Sequence, residues 1–365
     1  IGERMKQRTF TLRQIIEEGT RLLKAAGIEE AAQDAWYLLE YTAGISRAAY
    51  YGEPDRIMDV RQAKQYLECI ENRGKRIPLQ HITGEQEFMG YPFFVNEHVL
   101  IPRQDTETLV EEALKVIQSF GGRKIKVLDM CTGSGCILIT ILKKYPPAEG
   151  TGCDVSREAL CVAKKNAGRL GVDARWVLSD LFDQWDVPAG YDETEQVLDK
   201  RYDMIISNPP YIQTAEIQRL QEEVRGHDPR IALDGGEDGL YFYRRIIEGS
   251  ILHIEDGGYL LFEIGYDQGK DVAELMQSHG YGDIVIKKDL PGLDRVGGAV
   301  LEILADPVFE PLRLPHVDDL PGLVHHQIDP RQKGQVVCFL LQFVLGHKNT
   351  PTFFQLGVRS EEVGV

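Results

Sequence analysis

The stretch that decides the fold is Asp129-Met130-Cys131-Thr132-Gly133-Ser134-Gly135-Cys136. It follows a short apolar run at 124–129, which predicts a buried strand, and it opens a helical pattern at 137–142. A Gly-x-Gly turn between a strand and a helix lets the backbone pass close to a nucleotide-like ligand, although a tight turn without any ligand has the same pattern. Leu138 stands where the dinucleotide fingerprint has its third glycine, so a ligand without a pyrophosphate fits better.

The chain beyond this loop continues to alternate strand and helix. Further strand patterns occur at 152–155, 175–178, 204–207, 259–264, 284–287 and 299–303. Helical patterns such as 158–170 and 241–254 lie between the earlier strands. Repeated units of this kind predict an α/β fold with a doubly wound, mostly parallel, seven-stranded Rossmann-like sheet. No helix separates the last two strand patterns, so these should pair antiparallel at the edge of the sheet.

Acidic side chains end the second and third predicted strands. Asp154 lies 19 residues after Gly135, where a carboxylate can accept hydrogen bonds from both hydroxyls of a ribose. Asp180 can accept from the exocyclic amine of an adenine, while Leu181 and Phe182 cover the ring. Either acid alone is equally typical of a helix cap or a solvent-facing side chain. A glycine turn and two acids at three successive strand ends together predict a nucleoside pocket at the carboxyl edge of the sheet.

The tetrapeptide Asn208-Pro209-Pro210-Tyr211 closes the fourth predicted strand. Two prolines end a strand for purely structural reasons as well, since neither can donate to the ladder. The tetrapeptide also suits a chemical role, because a planar NH₂ group has a delocalised lone pair and must be held toward its electrophile. The Asn208 oxygen and the Pro209 carbonyl can each accept one N–H of such a group, and Tyr211 can stack on its face. We therefore predict that these four residues are catalytic, that they aim the nitrogen at a methyl sulfonium, and that no metal takes part.

The sequence divides into segments of different character. We predict a small helical bundle at 1–85, a β-hairpin linker at 86–103, an α/β domain at 104–305 and an unassigned, disordered tail at 306–365. Thr11 and Gln14 match the capping box that begins the first helix. In the linker, strands are expected at 93–95 and 99–101 around the turn-like Asn96.

The composition of the chain argues against some classes of binding partner. The 365 residues carry 41 Lys plus Arg against 57 Asp plus Glu, a net charge of −16 that repels an extended phosphate backbone. The longest apolar run, 336–345, contains Gln342 and is about half as long as a membrane-spanning helix. The six cysteines form no CxxC pattern, which indicates reduced thiols. We therefore expect a cytoplasmic monomer with no membrane partner and no direct contact to nucleic acid.

The glycine loop, the two acids and the Asn-Pro-Pro-Tyr ending together resemble class I S-adenosylmethionine-dependent methyltransferases that methylate a planar NH₂ group. Further blocks are similar to signatures of the release factor glutamine methyltransferases, the PrmC/HemK family. They are residues 78–84 (PLQHITG), 99–103 (VLIPR) and 232–240 (ALDGGEDGL). The resemblance covers about residues 10–304 and implies a methyltransferase sheet behind a small N-terminal bundle.

This resemblance implies roles for individual residues. S-adenosylmethionine would contact Cys131, Thr132, Gly133, Ser134, Gly135, Asp154, Asp180, Leu181 and Asn208. Residues 208–211 would hold the glutamine amide of a peptide chain release factor, and the N-terminal helices would grip that protein. The implied reaction is methyl transfer to the side-chain amide nitrogen (N5) of the glutamine in the Gly-Gly-Gln motif. Two features depart from the family: Cys131 replaces its usual glycine, and 306–365 match nothing in it.

Two other functions stay open at this point. An N6-adenine methyltransferase would present the same NH₂ geometry to residues 208–211. The net charge and the lack of a basic segment interleaved with aromatic residues argue against it. A non-catalytic module that binds the cofactor and docks a partner through its helices is the third interpretation, although Asn208 and Tyr211 favour catalysis.

Overall fold

The computed structural model describes residues 9–185, 201–289 and 292–301. The strands are β1 (Glu85–Phe88), β2 (Tyr91–Phe94), β3 (Ile125–Met130), β4 (Ala148–Asp154), β5 (Arg175–Leu178), β6 (Tyr202–Ser207), β7 (Ile254–Glu263), β8 (Tyr281–Lys288) and β9 (Asp294–Leu301). The helices are α1 (Leu12–Ala25), α2 (Ala31–Ala43), α3 (Arg47–Gly52), α4 (Val60–Gly74), α5 (Leu79–Thr83), α6 (Asp105–Ser119), α7 (Cys136–Lys144), α8 (Arg157–Leu170), α9 (Glu222–His227), α10 (Tyr241–His253) and α11 (Gly269–Ser278). None of these helices is both long and apolar enough to cross a membrane. The tail at 306–365, for which we expected disorder, lies outside the described residues.

Helices α1, α2 and α4 pack around an apolar core of their own. Thr11 and Gln14 make the capping box expected at the start of α1, with both hydrogen bonds at 3.2 Å. α2 ends at Gly44, whose φ of 63° lies in the left-handed region. The largest side chains fully buried in this core are Leu12, Ile15, Leu23, Leu38, Leu39, Tyr66 and Ile70. Apolar residues spaced three and four apart thus give the N-terminal segment a buried interior.

The hairpin lies earlier in the chain than predicted. β1 and β2 pair antiparallel, and Met89 and Gly90 join them with φ values of 52° and 83°. Of the two expected strands, 93–95 overlaps β2, but 99–101 forms no strand and Asn96 is not the turn, because the segment that follows β2 packs against α8 instead. Tight two-residue hairpin turns favour positive φ at both central positions, and glycine adopts it without strain. Gly90 is therefore the signal that marks the true turn.

The main sheet has seven strands in the order β5-β4-β3-β6-β7-β9-β8. Strands β3 to β7 run parallel, β9 is antiparallel to β7, and β8 is antiparallel to β9 at the edge. Helices α6, α7 and α8 contribute to one apolar cluster, while α10 and α11 contribute to the other. The predicted doubly wound, mostly parallel α/β fold and its final antiparallel pair are confirmed.

The strand register aligns three of the loops that carry candidate site residues. Met130 of β3 lies opposite Cys153 of β4 and opposite Ser207 of β6. From β3 the chain proceeds outward to β4 and β5, and it then returns to β6 on the other side of β3. Ligands of α/β sheets bind at such a switch point, outside the carboxyl ends of the strands. The loops after β3, β4 and β6 therefore border one crevice.

β9 is longer than its apolar pattern suggested. It begins at Asp294, whereas the pattern indicated 299–303, of which the last two residues lie outside the described part of the chain. Gly297 and Gly298 interrupt the apolar run, but their backbones still pair with β7. A strand formed by backbone pairing does not need an apolar side chain at every position.

Candidate active site

A cavity lies at the carboxyl edge of the sheet, among the loops that follow β3, β4, β5 and β6. The predicted site residues that line it are Cys131, Thr132, Gly133, Ser134, Asp154, Asp180, Leu181, Asn208 and Pro210. Gly135, Pro209 and Tyr211 are not among its lining residues. Other lining residues include Pro102 and Arg103, which precede α6, Thr106 of α6 and Phe242 of α10. The structure thus brings the glycine loop, both acids and Asn208 to one crevice.

The glycine loop after β3 has left-handed backbone at three positions. The φ values are 59° at Cys131, 55° at Gly133 and 78° at Gly135. Gly135 is the N-cap of α7, and a Cβ built on it would lie 2.9 Å from Cδ1 of Ile139. Cys131 adopts a conformation that costs a residue with a Cβ roughly 1–2 kcal/mol. A glycine at this position would take the same conformation with less strain.

Asp154 connects the end of β4 to the glycine loop. Its Oδ2 accepts from the Gly133 backbone N–H at 2.8 Å, and its Oδ1 accepts from the Ser156 N–H at 2.9 Å. Burial raises the pKa of Asp154, and these backbone hydrogen bonds oppose the rise. Each carboxylate oxygen has a further lone pair, so the group can also accept from a pair of adjacent hydroxyls. The loop therefore fixes the orientation of the Asp154 carboxylate, which we predicted to accept hydrogen bonds from a ribose.

Asp129, beneath the loop, is a residue to which the sequence patterns assigned no role. It is fully buried at the end of β3, and the Thr132 hydroxyl donates to its Oδ2 at 2.6 Å. Burial raises the pKa of Asp129 to about 7, although the hydrogen bond from Thr132 opposes the rise. Asp129 thus holds Thr132, which lines the cavity, through a buried carboxyl group.

Asp180 and Leu181 lie at the cavity, but Phe182 does not. Asp180 Oδ1 accepts from Arg245 Nη1 of α10 at 2.8 Å. Leu181 has a φ of 50° and lines the cavity. Phe182 is buried in the core, where its ring stacks on that of His253 with centroids 4.9 Å apart. The expectation that Phe182 covers an adenine ring is therefore wrong, because this side chain packs against α10.

The Asn-Pro-Pro-Tyr segment follows β6, and its two ends form hydrogen bonds with different partners. Asn208 Nδ2 donates to Thr106 Oγ1 of α6 at 3.3 Å. Tyr211 Oη donates to Oε1 of Glu263 at the end of β7 at 3.0 Å, and the Tyr211 carbonyl accepts from Gln268 Nε2 at 3.0 Å. The Asn208 nitrogen is thus engaged by the protein, and its side-chain oxygen remains able to accept from a ligand.

An ionic network joins the N-terminal helices to the rim of the cavity. Arg73 Nη1 and Arg76 Nη1 lie 3.2 and 3.1 Å from Glu223 Oε1 of α9. Beside them, Arg103 Nη2 lies 2.5 Å from Oδ2 of the buried Asp228, and it opposes the rise that burial causes in the pKa of that carboxyl. These partners are far apart in sequence, and no local pattern identifies such pairs.

The amino-acid sequence of this chain is similar to those of known proteins. Residues 14–84 match the PrmC N-terminal domain family, and residues 106–227 match the methyltransferase small domain family. The release factor glutamine methyltransferase of Geobacter sulfurreducens is 37% identical over 293 residues, which cover 80% of this chain and 98% of that protein. The enzyme of the same name from Caulobacter vibrioides is 38% identical over 285 residues, covering 78% of this chain and 94% of that protein.

Among solved structures, a protein-(glutamine-N5) methyltransferase (release factor-specific) from Alicyclobacillus acidocaldarius is 27% identical. The match covers 57% of this chain and 99% of the chain in that structure, with a TM-score of 0.34. The two curated relatives match this chain along nearly their whole lengths. The chain therefore belongs to the release factor glutamine methyltransferase family.

Proposed function

We propose that this chain transfers a methyl group from S-adenosylmethionine to the side-chain amide nitrogen (N5) of the glutamine in the Gly-Gly-Gln motif of peptide chain release factors. The observation that carries the proposal is the side-chain amide of Asn208 at the cavity wall, whose nitrogen is bound to Thr106. Its oxygen is left to accept an N–H from a planar amide. The N6-adenine alternative is not favoured, since the curated relatives carry the name release factor glutamine methyltransferase.

The residues at the carboxyl edge suit the cofactor. Asp154 offers the ribose hydroxyls a carboxylate whose two oxygens are fixed by backbone N–H groups. Asp180 and Leu181 line the cavity where they could contact the adenine, and the glycine loop at Cys131 to Ser134 lines it where it could contact the rest of the cofactor. S-adenosylmethionine supplies a methyl group on a sulfonium, which leaves as a neutral thioether.

The protein orients the nucleophile and does not need to ionise it. In this proposal Asn208 Oδ1, at the cavity wall, accepts one N–H of the substrate amide. The Pro209 carbonyl would accept the other N–H and Tyr211 would border the plane of the amide, although neither residue lines the cavity. In this arrangement the nitrogen lone pair would face the methyl group that the bound cofactor supplies. A nitrogen–carbon bond would form as the carbon–sulfur bond breaks, and the nitrogen would release one proton to solvent. We infer that the enzyme acts as a monomer.

The remaining parts of the chain serve substrate recognition in this proposal. We infer that the helical segment at 1–85 grips the release factor, that 86–103 connects it to the catalytic domain at 104–305, and that the enzyme acts in the cytoplasm. The ion pairs of Arg73 and Arg76 with Glu223 support the first inference, because they fix the helices beside the cavity rim.

The substitution Asn208→Ala tests the assignment. It removes the acceptor for one substrate N–H, and we expect the rate of release factor methylation to fall at least about 100-fold. Cofactor binding depends mainly on the loops after β3 to β5, so the calorimetric Kd for S-adenosylmethionine should stay within about threefold of the wild-type value. Methylation at the wild-type rate by this variant would refute the role of Asn208.

A further inference from the structure

The chain that follows the Asn-Pro-Pro-Tyr segment carries α9 and then returns to its starting point. The Ile212 N–H donates to the Leu233 carbonyl at 3.0 Å, and the Gly235 N–H donates to the Ile212 carbonyl at 2.8 Å. These bonds close residues 212–236 into a lobe, here called the α9 lobe, which begins directly after Tyr211. The lobe is therefore fixed at its base beside the tetrapeptide that we propose to be catalytic.

Glu223 of the α9 lobe binds two arginines of the N-terminal bundle through one oxygen. Its Oε1 accepts from Arg73 Nη1 and Nη2, both at 3.2 Å, and from Arg76 Nη1 at 3.1 Å. Arg73 Nε donates to Oδ2 of Asp34 in α2 at 2.6 Å, and Arg76 Nη2 donates to the Gly27 carbonyl after α1 at 3.0 Å. The Arg73 side chain is only 11% exposed, so solvent screens this network less than it screens an ion pair at the surface.

The other end of α9 is bound to the wall of the active-site cavity. Asp228, which directly follows α9, accepts from Arg103 Nη2 at 2.5 Å. Arg103 lines the cavity, and Asp228 comes five positions after Glu223. The helix α9 therefore forms a short connection from the bundle to the cavity wall, in addition to the covalent linker at 86–103.

Two exposed aromatic side chains of α2 lie on the same side of the bundle as this connection. Tyr37 and Tyr41 are 41% and 47% exposed, and their spacing places them one helical turn apart. Tyr37 lines a cleft together with Glu223 and Arg103, and Arg103 is shared between this cleft and the active-site cavity. Exposed aromatic residues are enriched at protein–protein interfaces. The cleft thus joins a surface suited to a protein partner to the proposed catalytic site.

We propose that Glu223 is a positioning residue for the docking of folded release factor. Through Arg73 and Arg76 it holds the N-terminal bundle in the orientation at which one partner can contact the bundle and place its glutamine in the cavity at the same time. The inference rests on the proposed function, which supplies the folded substrate. When two binding surfaces are joined, contact with the first raises the effective concentration at the second, and this advantage is lost if their geometry no longer matches the partner. Loss of Glu223 therefore weakens protein binding and leaves the chemistry of the bound complex unchanged.

A binding measurement tests the docking role without any turnover. Release factor is titrated into the full chain in the presence of S-adenosylhomocysteine, which has no methyl group to transfer. We expect Glu223→Ala to raise the Kd for release factor at least about 10-fold, while the Kd for S-adenosylhomocysteine stays within about twofold of wild type. The matched control is Glu216→Ala, because Glu216 pairs with Arg219 inside the α9 lobe. It should have the wild-type Kd for release factor.

Turnover separates docking from a general loss of structure. With unmethylated release factor and S-adenosylmethionine, Glu223→Ala should raise the KM for release factor at least about 10-fold and keep kcat within about threefold of wild type. Arg76→Ala should change KM in the same direction, and it preserves the test if Glu223→Ala fails to fold. Because the two residues act together, the double variant should lose less binding free energy than the two single losses combined. Fully additive losses would show that Glu223 does not act through Arg76, and would overturn the proposal.

The other outcomes distinguish this inference from the proposed function. Wild-type Kd and KM for release factor in both Glu223→Ala and Arg76→Ala would overturn the positioning role, and so would a loss of kcat with an unchanged KM. A wild-type chain that binds release factor but transfers no methyl group would overturn the proposed function alone, because the Kd values of the variants would still decide the role of Glu223. A wild-type chain that does not bind release factor would overturn both.

Discussion

Replacement of Asp154 by asparagine should weaken cofactor binding without changing the shape of the site. The two carboxylate oxygens each accept one backbone N–H, from Gly133 and from Ser156. Asparagine keeps the volume of the side chain but replaces one of these acceptors by an NH₂ group, which then faces a backbone donor. One ribose hydroxyl loses its charged partner at the same time. A hydrogen bond to a charged group contributes about 1.5–3 kcal/mol, so the Kd should rise about 10- to 100-fold.

The assay is isothermal titration of S-adenosylmethionine into the wild-type chain, into Asp154→Asn and into Asp173→Asn. Asp173 is an exposed acid in the loop before β5, and its substitution makes the same change of charge away from the cavity. We expect this control to match the wild-type Kd. If Asp154→Asn binds the cofactor within about twofold of wild type, Asp154 does not accept from the ribose, and the reasoning from its two fixed oxygens is refuted.

Two further predictions concern stability. Asp129 has a pKa of about 7 in the folded chain, above its ordinary value of 3.8, so the folded state binds the extra proton and loses stability as the pH rises through this interval. The free energy of unfolding of the wild-type chain, relative to that of Asp129→Asn, should therefore fall by up to about 4 kcal/mol between about pH 4 and pH 8. Urea denaturation of both chains measures this difference, and the same pH dependence in both chains would contradict the prediction. A Cβ on Gly249 would lie 2.4 Å from the Phe182 ring, so Gly249→Ala should destabilise the chain by about 1–3 kcal/mol. Gly168 in α8 faces open space, and Gly168→Ala should instead stabilise the chain by up to about 1 kcal/mol. A calorimetric melting temperature that rises in Gly249→Ala would contradict the first assignment, and one that falls in Gly168→Ala would contradict the second.

The sheet and the positions of the candidate site loops followed from local patterns. Most of the parallel strands contain a short apolar run, and a residue directly after such a run lies at the carboxyl edge. Asp154 and Asn208 could therefore be placed at one crevice before any contact was known. The hairpin was misplaced because the apolar pattern outweighed a single glycine: Gly90 sets the turn, whereas the turn-like Asn96 does not.

Local sequence patterns could not predict the contacts that support the site. Phe182 follows Leu181, whose left-handed backbone directs the chain so that the ring packs into the core beside Gly249. Glu263 lay within one more apolar run, at 259–264, and its carboxyl meets the Tyr211 hydroxyl only when two distant segments fold together. The pairing of such polar groups depends on tertiary structure and leaves no periodic signal in the sequence.

The most direct test of the central claim is intact-mass analysis of unmethylated release factor after incubation with this chain and S-adenosylmethionine. A second release factor, in which the glutamine of Gly-Gly-Gln is changed to alanine, serves as the control substrate. The account predicts a gain of one methyl group on the first substrate and none on the second. A gain on both substrates, or no gain on either while the cofactor is shown to bind, would contradict it.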